Sequence, residues 1–208
     1  MAVIALVGNK GGAGKTTLTV NLAATLLAMG RTAILDADPQ GSALQWQSIG
    51  SAESELKVID AAQGIADIFA GAAGRYEHLV IDCPPSVHAA QTHAALEVSD
   101  IALIPVQPSP LDLWATVHIE QAVAQARRTN PDLRALLVIN QLESRTRLSR
   151  LIRDALAELE LPAADTAIHR RAVYRASVLE GRSVLDMGRS GAAAVAEIRN
   201  LINEVVRQ

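Results

Sequence analysis

Lysine is scarce in this chain: three occur among 208 residues, and two of them, Lys10 and Lys15, lie within Asn9-Lys10-Gly11-Gly12-Ala13-Gly14-Lys15-Thr16-Thr17. None of the sixteen arginines enters that stretch. Glycines let successive backbone N–H groups turn inward around an anion, an ammonium adds a compact countercharge, and a threonine hydroxyl suits a magnesium ion. The chemistry is phosphate binding, with Gly11, Gly12, Ala13, Gly14, Lys15, Thr16 and Thr17 as the cradle and Thr16 as a metal ligand. Three acids, Asp36, Asp38 and Asp82, end apolar runs further on. A strand-end carboxylate is rigid enough to place the oxygen ligands of a magnesium ion that bridges phosphates, and Asp82 reads as that acid.

The elements around these residues support the same chemistry. Val3 to Val7 reads as a buried strand and Leu18 to Met29 as a helix closed by Gly30, so the loop sits between a strand and a helix N-terminus, where partial positive charge gathers. Strands are expected at 32–35, 58–59, 79–82, 101–106, 135–140 and 166–168. Helices are expected at 42–48, 64–70, 111–128, 147–159 and 190–206. Such alternation predicts an α/β fold, a doubly wound and mostly parallel sheet with helices on both faces, with ligands at the C-terminal ends of the strands. One P-loop domain over 1–208 is expected.

Half the residues are apolar and 2% are aromatic, which predicts a core of Ala, Val, Leu and Ile. No run reaches the roughly 18 apolar residues of a membrane span, and no secretory leader is legible, so a cytoplasmic location is expected. The lone Cys83 excludes an internal disulfide and a multi-cysteine metal site within the chain. The five histidines are scattered and read as structural or exposed. Trp46 and Trp114 stand apart and read as gap-fillers rather than a base-stacking platform.

Charge is uneven. Residues 1–126 carry a balance of −7, and residues 127–208 a balance of +4 in which every cation is arginine. Arg145, Arg147, Arg150 and Arg153 form one cluster, and Arg170, Arg171 and Arg175 another. Such clusters either neutralise DNA phosphates without reading sequence or form solvated faces with nearby acids, and the sequence leaves both readings open.

Lys-Gly-Gly-x-Gly-Lys-Thr-Thr resembles the deviant Walker A loop of the ParA/MinD superfamily of ATPases. The likeness runs from Ala2 to the final helix, although Asn9 stands where the strict pattern has glycine. The resemblance implies ATP and Mg2+ as cofactors and a catalytic set of Lys10, Lys15 and Asp38. Lys10 would reach the nucleotide of the other subunit in an ATP-bound homodimer. Asp36-x-Asp38-Pro39-Gln40 resembles the first switch of that family, which gives Asp38 the attacking water and Asp36 a place in the magnesium shell with Thr16 and Asp82. Asp82-Cys83-Pro84-Pro85-Ser86 resembles the second switch. Residues 105–110 and Asn140 resemble elements that line the nucleotide pocket, and Asn140 reads equally well as a turn cap.

Within the superfamily, one cysteine does not match the iron–sulfur proteins, the C-terminal residues lack a membrane-binding helix, and no tyrosine cluster is present. What remains resembles small ParA-type partition proteins. That implies a nucleoid-associated protein that binds non-specific DNA, with Arg170, Arg171 and Arg189 as favoured contacts. It further implies an adaptor or centromere-binding partner that stimulates hydrolysis, and plasmid, chromosome or other cargo. Without a preceding DNA-reading domain, operator-specific repression is not expected. The alternatives are a carboxysome-type positioning ATPase and a dethiobiotin-synthetase-like ATP-dependent ligase.

Overall fold

A computed structural model describes residues 1–51, 53–143 and 159–206. Six parallel strands form one sheet: β1 (Ala2–Leu6), β2 (Thr32–Asp36), β3 (Lys57–Asp60), β4 (His78–Asp82), β5 (Ile101–Val106) and β6 (Arg134–Ile139). Their spatial order is β3-β2-β4-β1-β5-β6. The chain winds outward in one direction from β1 to β2 and β3, then in the other through β5 to β6. The strand order therefore reverses beside β1, which places the natural ligand crevice at its C-terminal end.

Alternation along each strand divides the core. Val3, Ala5 and Val7 face one hydrophobic layer with α3 (Ile65–Ala73), α4 (Ala90–Val98) and α5 (Pro110–Ala126). Ile4 and Leu6 face the other, with α1 (Lys15–Leu27), α2 (Ser42–Ile49), α6 (Ala172–Leu179) and α7 (Gly188–Val206). Both faces of the sheet are thus covered, and β1, β2 and β5 are buried along their whole length, as parallel strands between helical layers must be. Helix α7 shows why it docks: Gly191, Ala194, Ile198, Leu201, Ile202 and Val205 recur at three- and four-residue steps and are buried. Aliphatic side chains dominate both layers, with Trp46 buried on α2 as the gap-filler expected of it.

Two expectations need correction. Residues 166–168 do not form a strand. The segment from Pro162 to Arg170 runs beside β6 and the residues just after it and pairs only at isolated points, Leu137 of β6 with Ala163 and Leu142 beyond β6 with His169. Between them the N–H groups of Asp165 and Thr166 donate to the Glu204 side chain at 2.7 and 3.1 Å, which interrupts the ladder. Helices α4 and α6 were not expected at all. The helix expected over 147–159 falls, but for its last residue, outside the described residues, together with Arg145, Arg147, Arg150 and Arg153. Among the described residues no helix is long and apolar enough to cross a membrane.

Candidate functional site

The glycine loop joins β1 to α1 at the reversal point. Gly12 and Gly14 have φ of 79° and 90°, a region where a side chain is strained. Gly14 caps α1 without a side-chain bond, and no acid lies in the first turn. The opening N–H groups of α1 are therefore available to an anion. The loop carbonyls, by contrast, accept from side chains. Asn140 Nδ2 donates to the Ala13 carbonyl at 2.7 Å, while Gln107 and Gln141 donate from Nε2 to the Gly12 carbonyl at 2.8 and 3.0 Å. Lys15 Nζ donates to the Lys10 carbonyl at 3.3 Å. Carbonyls held in this way leave the N–H edge of the loop to the ligand.

Lys15 is buried, and burial holds its ammonium below the usual value, against the pull of Asp82. Thr16 and Thr17 are half-buried behind it, whereas Lys10, Gly11 and Gly12 are exposed.

Asp36 and Asp82 are partners in register at the ends of adjacent strands β2 and β4, and Asp82 pairs on its other side with Leu6, just before the loop. Both acids are fully buried. They differ in their contacts. Asp36 Oδ1 accepts the Asp38 N–H at 3.2 Å, and its Oδ2 accepts the N–H groups of Ala43 and Leu44 at 2.9 and 3.0 Å. It caps α2, whose own N-cap position is Gly41. The expected place of Asp36 in a magnesium shell comes on top of these three bonds.

Asp82 Oδ1 accepts the Thr19 hydroxyl at 3.2 Å, and its buried Oδ2 has no hydrogen-bond partner among the described residues. Burial pushes the Asp82 carboxyl up to about 7, with Asp36 adding to the rise and Thr16, Lys15 and Thr19 opposing it. A buried oxygen without a donor, next to a threonine hydroxyl and an ammonium, fits a divalent cation. Cys83 follows, fully buried, its thiol raised by burial and by the neighbouring Asp82.

The segments expected to act as switches lie on the same edge. Asp38 is half-buried, and its Oδ1 accepts the Gln40 N–H at 3.0 Å, a small closed turn before α2. After β4, the Val87 N–H donates to Asn9 Oδ1 at 3.5 Å, which ties the second switch to the start of the glycine loop.

A cavity opens from the loop toward α6, lined among others by Gly14, Thr17, Asn140, His169, Arg171 and Tyr174. It lies where a ligand with phosphates on the loop would extend. Asn140 both lines this cavity and braces the loop. Arg171, expected at a DNA surface, is half-buried and bound to Glu197, with Nη2 at 2.6 Å from Oε1. Arg170 is exposed and pairs with Glu143 at 2.8 Å. Arg189 lies exposed on the first turn of α7. The three arginines therefore occupy three different settings.

Gln107 falls within the expected pocket element at 105–110, whereas sequence reasoning missed Gln141 and Glu197. Gln141 carries φ of 58°, the one positive value among described non-glycine residues; no local sequence signal marks that backbone, and the partners lie far off in the chain.

A family model described as the CobQ/CobB/MinD/ParA nucleotide binding domain matches residues 4–184. The chain is 40% identical over 207 residues to the maintenance of carboxysome distribution protein A of Halothiobacillus neapolitanus, with 98% of this chain and 95% of that one covered. It is 30% identical over 193 residues to the sporulation initiation inhibitor protein Soj of Bacillus subtilis, with 70% and 75% covered. Among solved structures, a complex of a Cyanothece McdA variant with ATP resembles it with a TM-score of 0.73 at 14% identity, covering 99% and 96% of the two chains.

Proposed function

The chain belongs to the CobQ/CobB/MinD/ParA nucleotide-binding family, and on that premise we propose that it is an ATP-dependent dimerising ATPase that positions a protein-built cargo of the carboxysome kind. The observation that carries the nucleotide chemistry is the Oδ2 of Asp82, without a hydrogen-bond partner among the described residues and buried in register with Asp36. In this reading the loop N–H groups and Lys15 bind the triphosphate, and Thr16 and Asp82 hold Mg2+. Held there, Mg2+ would supply positive charge against the negative charge of the phosphates. Asp36 keeps the first switch in shape through its three backbone bonds, so that Asp38 can orient the attacking water. Because phosphoryl transfer is mostly positioning and electrostatic stabilisation, this set of parts suffices for slow hydrolysis that a partner protein accelerates. Exposed Lys10 serves the nucleotide of a second copy.

The cargo reading rests on likeness. Identity to the carboxysome-distribution relative is 40% over nearly the whole of both chains, against 30% over 70% of this chain for Soj. That order favours the carboxysome-type alternative over plasmid or chromosome partition. Non-specific DNA, bound by exposed arginines in the ATP state, is the proposed track.

Light scattering with a nonhydrolysable ATP analogue tests the nucleotide switch. The wild type should become a dimer, Lys10→Ala should stay a monomer that still binds nucleotide, and Lys15→Ala should lose nucleotide. A wild-type chain that stays single at saturation overturns the proposal. Deleting the gene tests the cargo: clustered carboxysomes with normal plasmid and chromosome inheritance support it, and evenly spaced carboxysomes with failed inheritance overturn it.

A further inference from the structure

Helix α7 fastens the segment beside β6 with two carboxylates set seven residues apart, Glu197 and Glu204. Among the described residues Glu204 takes only backbone N–H groups, at Asp165 and Thr166. Glu197 does more. It accepts the His169 N–H at 3.3 Å, and its Oε1 lies 2.8 Å from His169 Nδ1. The Arg171 guanidinium meets both of its oxygens, Nη2 at 2.6 Å and Nε at 3.2 and 3.3 Å, and the Tyr174 hydroxyl donates to Oε2 at 3.4 Å. The Glu197 side chain is only 13% exposed. Each of the three side chains it gathers also lines the cavity that opens from Gly14 and Thr17.

A carboxylate so far removed from water is weak evidence of stability in its own right, because desolvation offsets much of the attraction. What the arrangement does secure is orientation, since a forked guanidinium bond fixes a plane as well as a distance. It also fixes the character of the wall. With its charge matched by Glu197, Arg171 offers the cavity a flat, charge-paired plane beside the His169 ring and the Tyr174 ring, while Arg170, paired with Glu143, and exposed Arg175 line the same cavity. A paired guanidinium plane of this kind suits stacking by an uncharged aromatic group.

We propose that Glu197 is a positioning residue for the nucleoside end of the nucleotide, acting through Arg171, His169 and Tyr174. This rests on the nucleotide reading above, in which the triphosphate lies on the loop and the base enters the adjoining cavity. Glu197 itself lines no part of that cavity and sits on a helix remote in sequence from the loop.

The test titrates wild type, Glu197→Ala, Glu197→Gln and Glu204→Gln with ATP and, separately, with inorganic tripolyphosphate, all with magnesium present. Wild type should bind ATP more tightly than tripolyphosphate. Glu197→Ala should weaken ATP about tenfold, as expected for loss of charged hydrogen bonds, and leave tripolyphosphate unchanged. Glu197→Gln, which keeps the shape and loses the charge, should fall between, and Glu204→Gln should bind both ligands as wild type does. Unchanged ATP affinity in the Glu197 variants, or an equal loss of both ligands, overturns the proposal while leaving the nucleotide reading intact. A wild type with no preference for ATP over tripolyphosphate would instead refute that reading. If Glu197→Ala does not fold, Glu197→Gln and Arg171→Lys carry the same comparison, the latter keeping the charge without the fork.

Discussion

Asn140 donates from Nδ2 to the carbonyl of Ala13 at 2.7 Å, joining the end of β6 to a loop 127 positions earlier in the chain. With Gln107 and Gln141 on the Gly12 carbonyl, three carboxamides hold the loop open from behind. Neutral hydrogen bonds of this kind contribute about 1 kcal/mol each. Asn140→Ala should therefore weaken ATP binding roughly five- to tenfold, and Asn140→Ala with Gln107→Ala further, at a small cost in melting temperature. Calorimetric titration with ATP distinguishes this from wild-type affinity, which would show that the loop holds its shape unaided.

Gly14→Ala and Gly11→Ala should part company. At Gly14, φ is 90° and an added Cβ would collide with Asn140 Nδ2; at Gly11 it would meet nothing within 4 Å. The first substitution should abolish nucleotide binding and cost about 1–2 kcal/mol from the left-handed backbone alone, before any clash is counted. The second should melt like wild type. Equal melting temperatures and nucleotide affinities for the pair would refute this.

The pH dependence follows from Asp82. Its carboxyl stands at about 7 in the folded chain because of burial, far above the roughly 3.9 of an exposed aspartate. The folded state thus favours the protonated form. That contribution to stability is complete below pH of about 4 and is lost as pH rises through about 7. The nucleotide-free protein should melt at lower temperature at pH 8 than at pH 5, relative to Asp82→Asn measured alongside. Magnesium requires the ionised carboxylate, so binding of Mg-ATP at pH 6 should release a proton, measurable by calorimetry in buffers of different ionisation enthalpy. No proton release from wild type, or the same release from Asp82→Asn, would exclude Asp82 as its source.

Arginine variants should separate wall from track. Arg189 is exposed, so Arg189→Ala should leave ATP affinity unchanged, weaken DNA binding in the ATP state and reduce the salt slope by about 1. Arg171→Ala should weaken ATP binding itself, because its guanidinium is bound to Glu197 beside the cavity. If Arg171→Ala lost DNA binding at unchanged ATP affinity, the guanidinium would belong to the track.

The parts of the site legible in the sequence are those with a short-range cause. The loop, the strand ends at Asp36 and Asp82, and the alternation of strands and helices are all written in contiguous residues whose types and spacing carry the signal. Helix α4, Ala90–Val98, escaped notice because its apolar stripe is faint and buries only Thr92, Ala95 and Leu96. Helix α6 starts after Arg170 and Arg171 with no capping side chain to mark its beginning. The strand expected at 166–168 failed because its neighbouring amides satisfy themselves on a glutamate 38 residues away. Asn140 and the 105–110 segment were legible as pocket elements, but Gln141 and Glu197 were not, for the same reason: a glutamine or glutamate has no local pattern that discloses which distant backbone it holds.

Cys83 has a practical consequence. It is the sole thiol in the chain, it lies fully buried directly after Asp82, and its proton is retained far beyond the ordinary range. An alkylating reagent can reach it only when the centre of the sheet parts near its nucleotide edge. The rate of labelling is therefore a built-in clock for local opening. With no engineered probe, a ligand seated on that edge can be detected by how much it slows the clock.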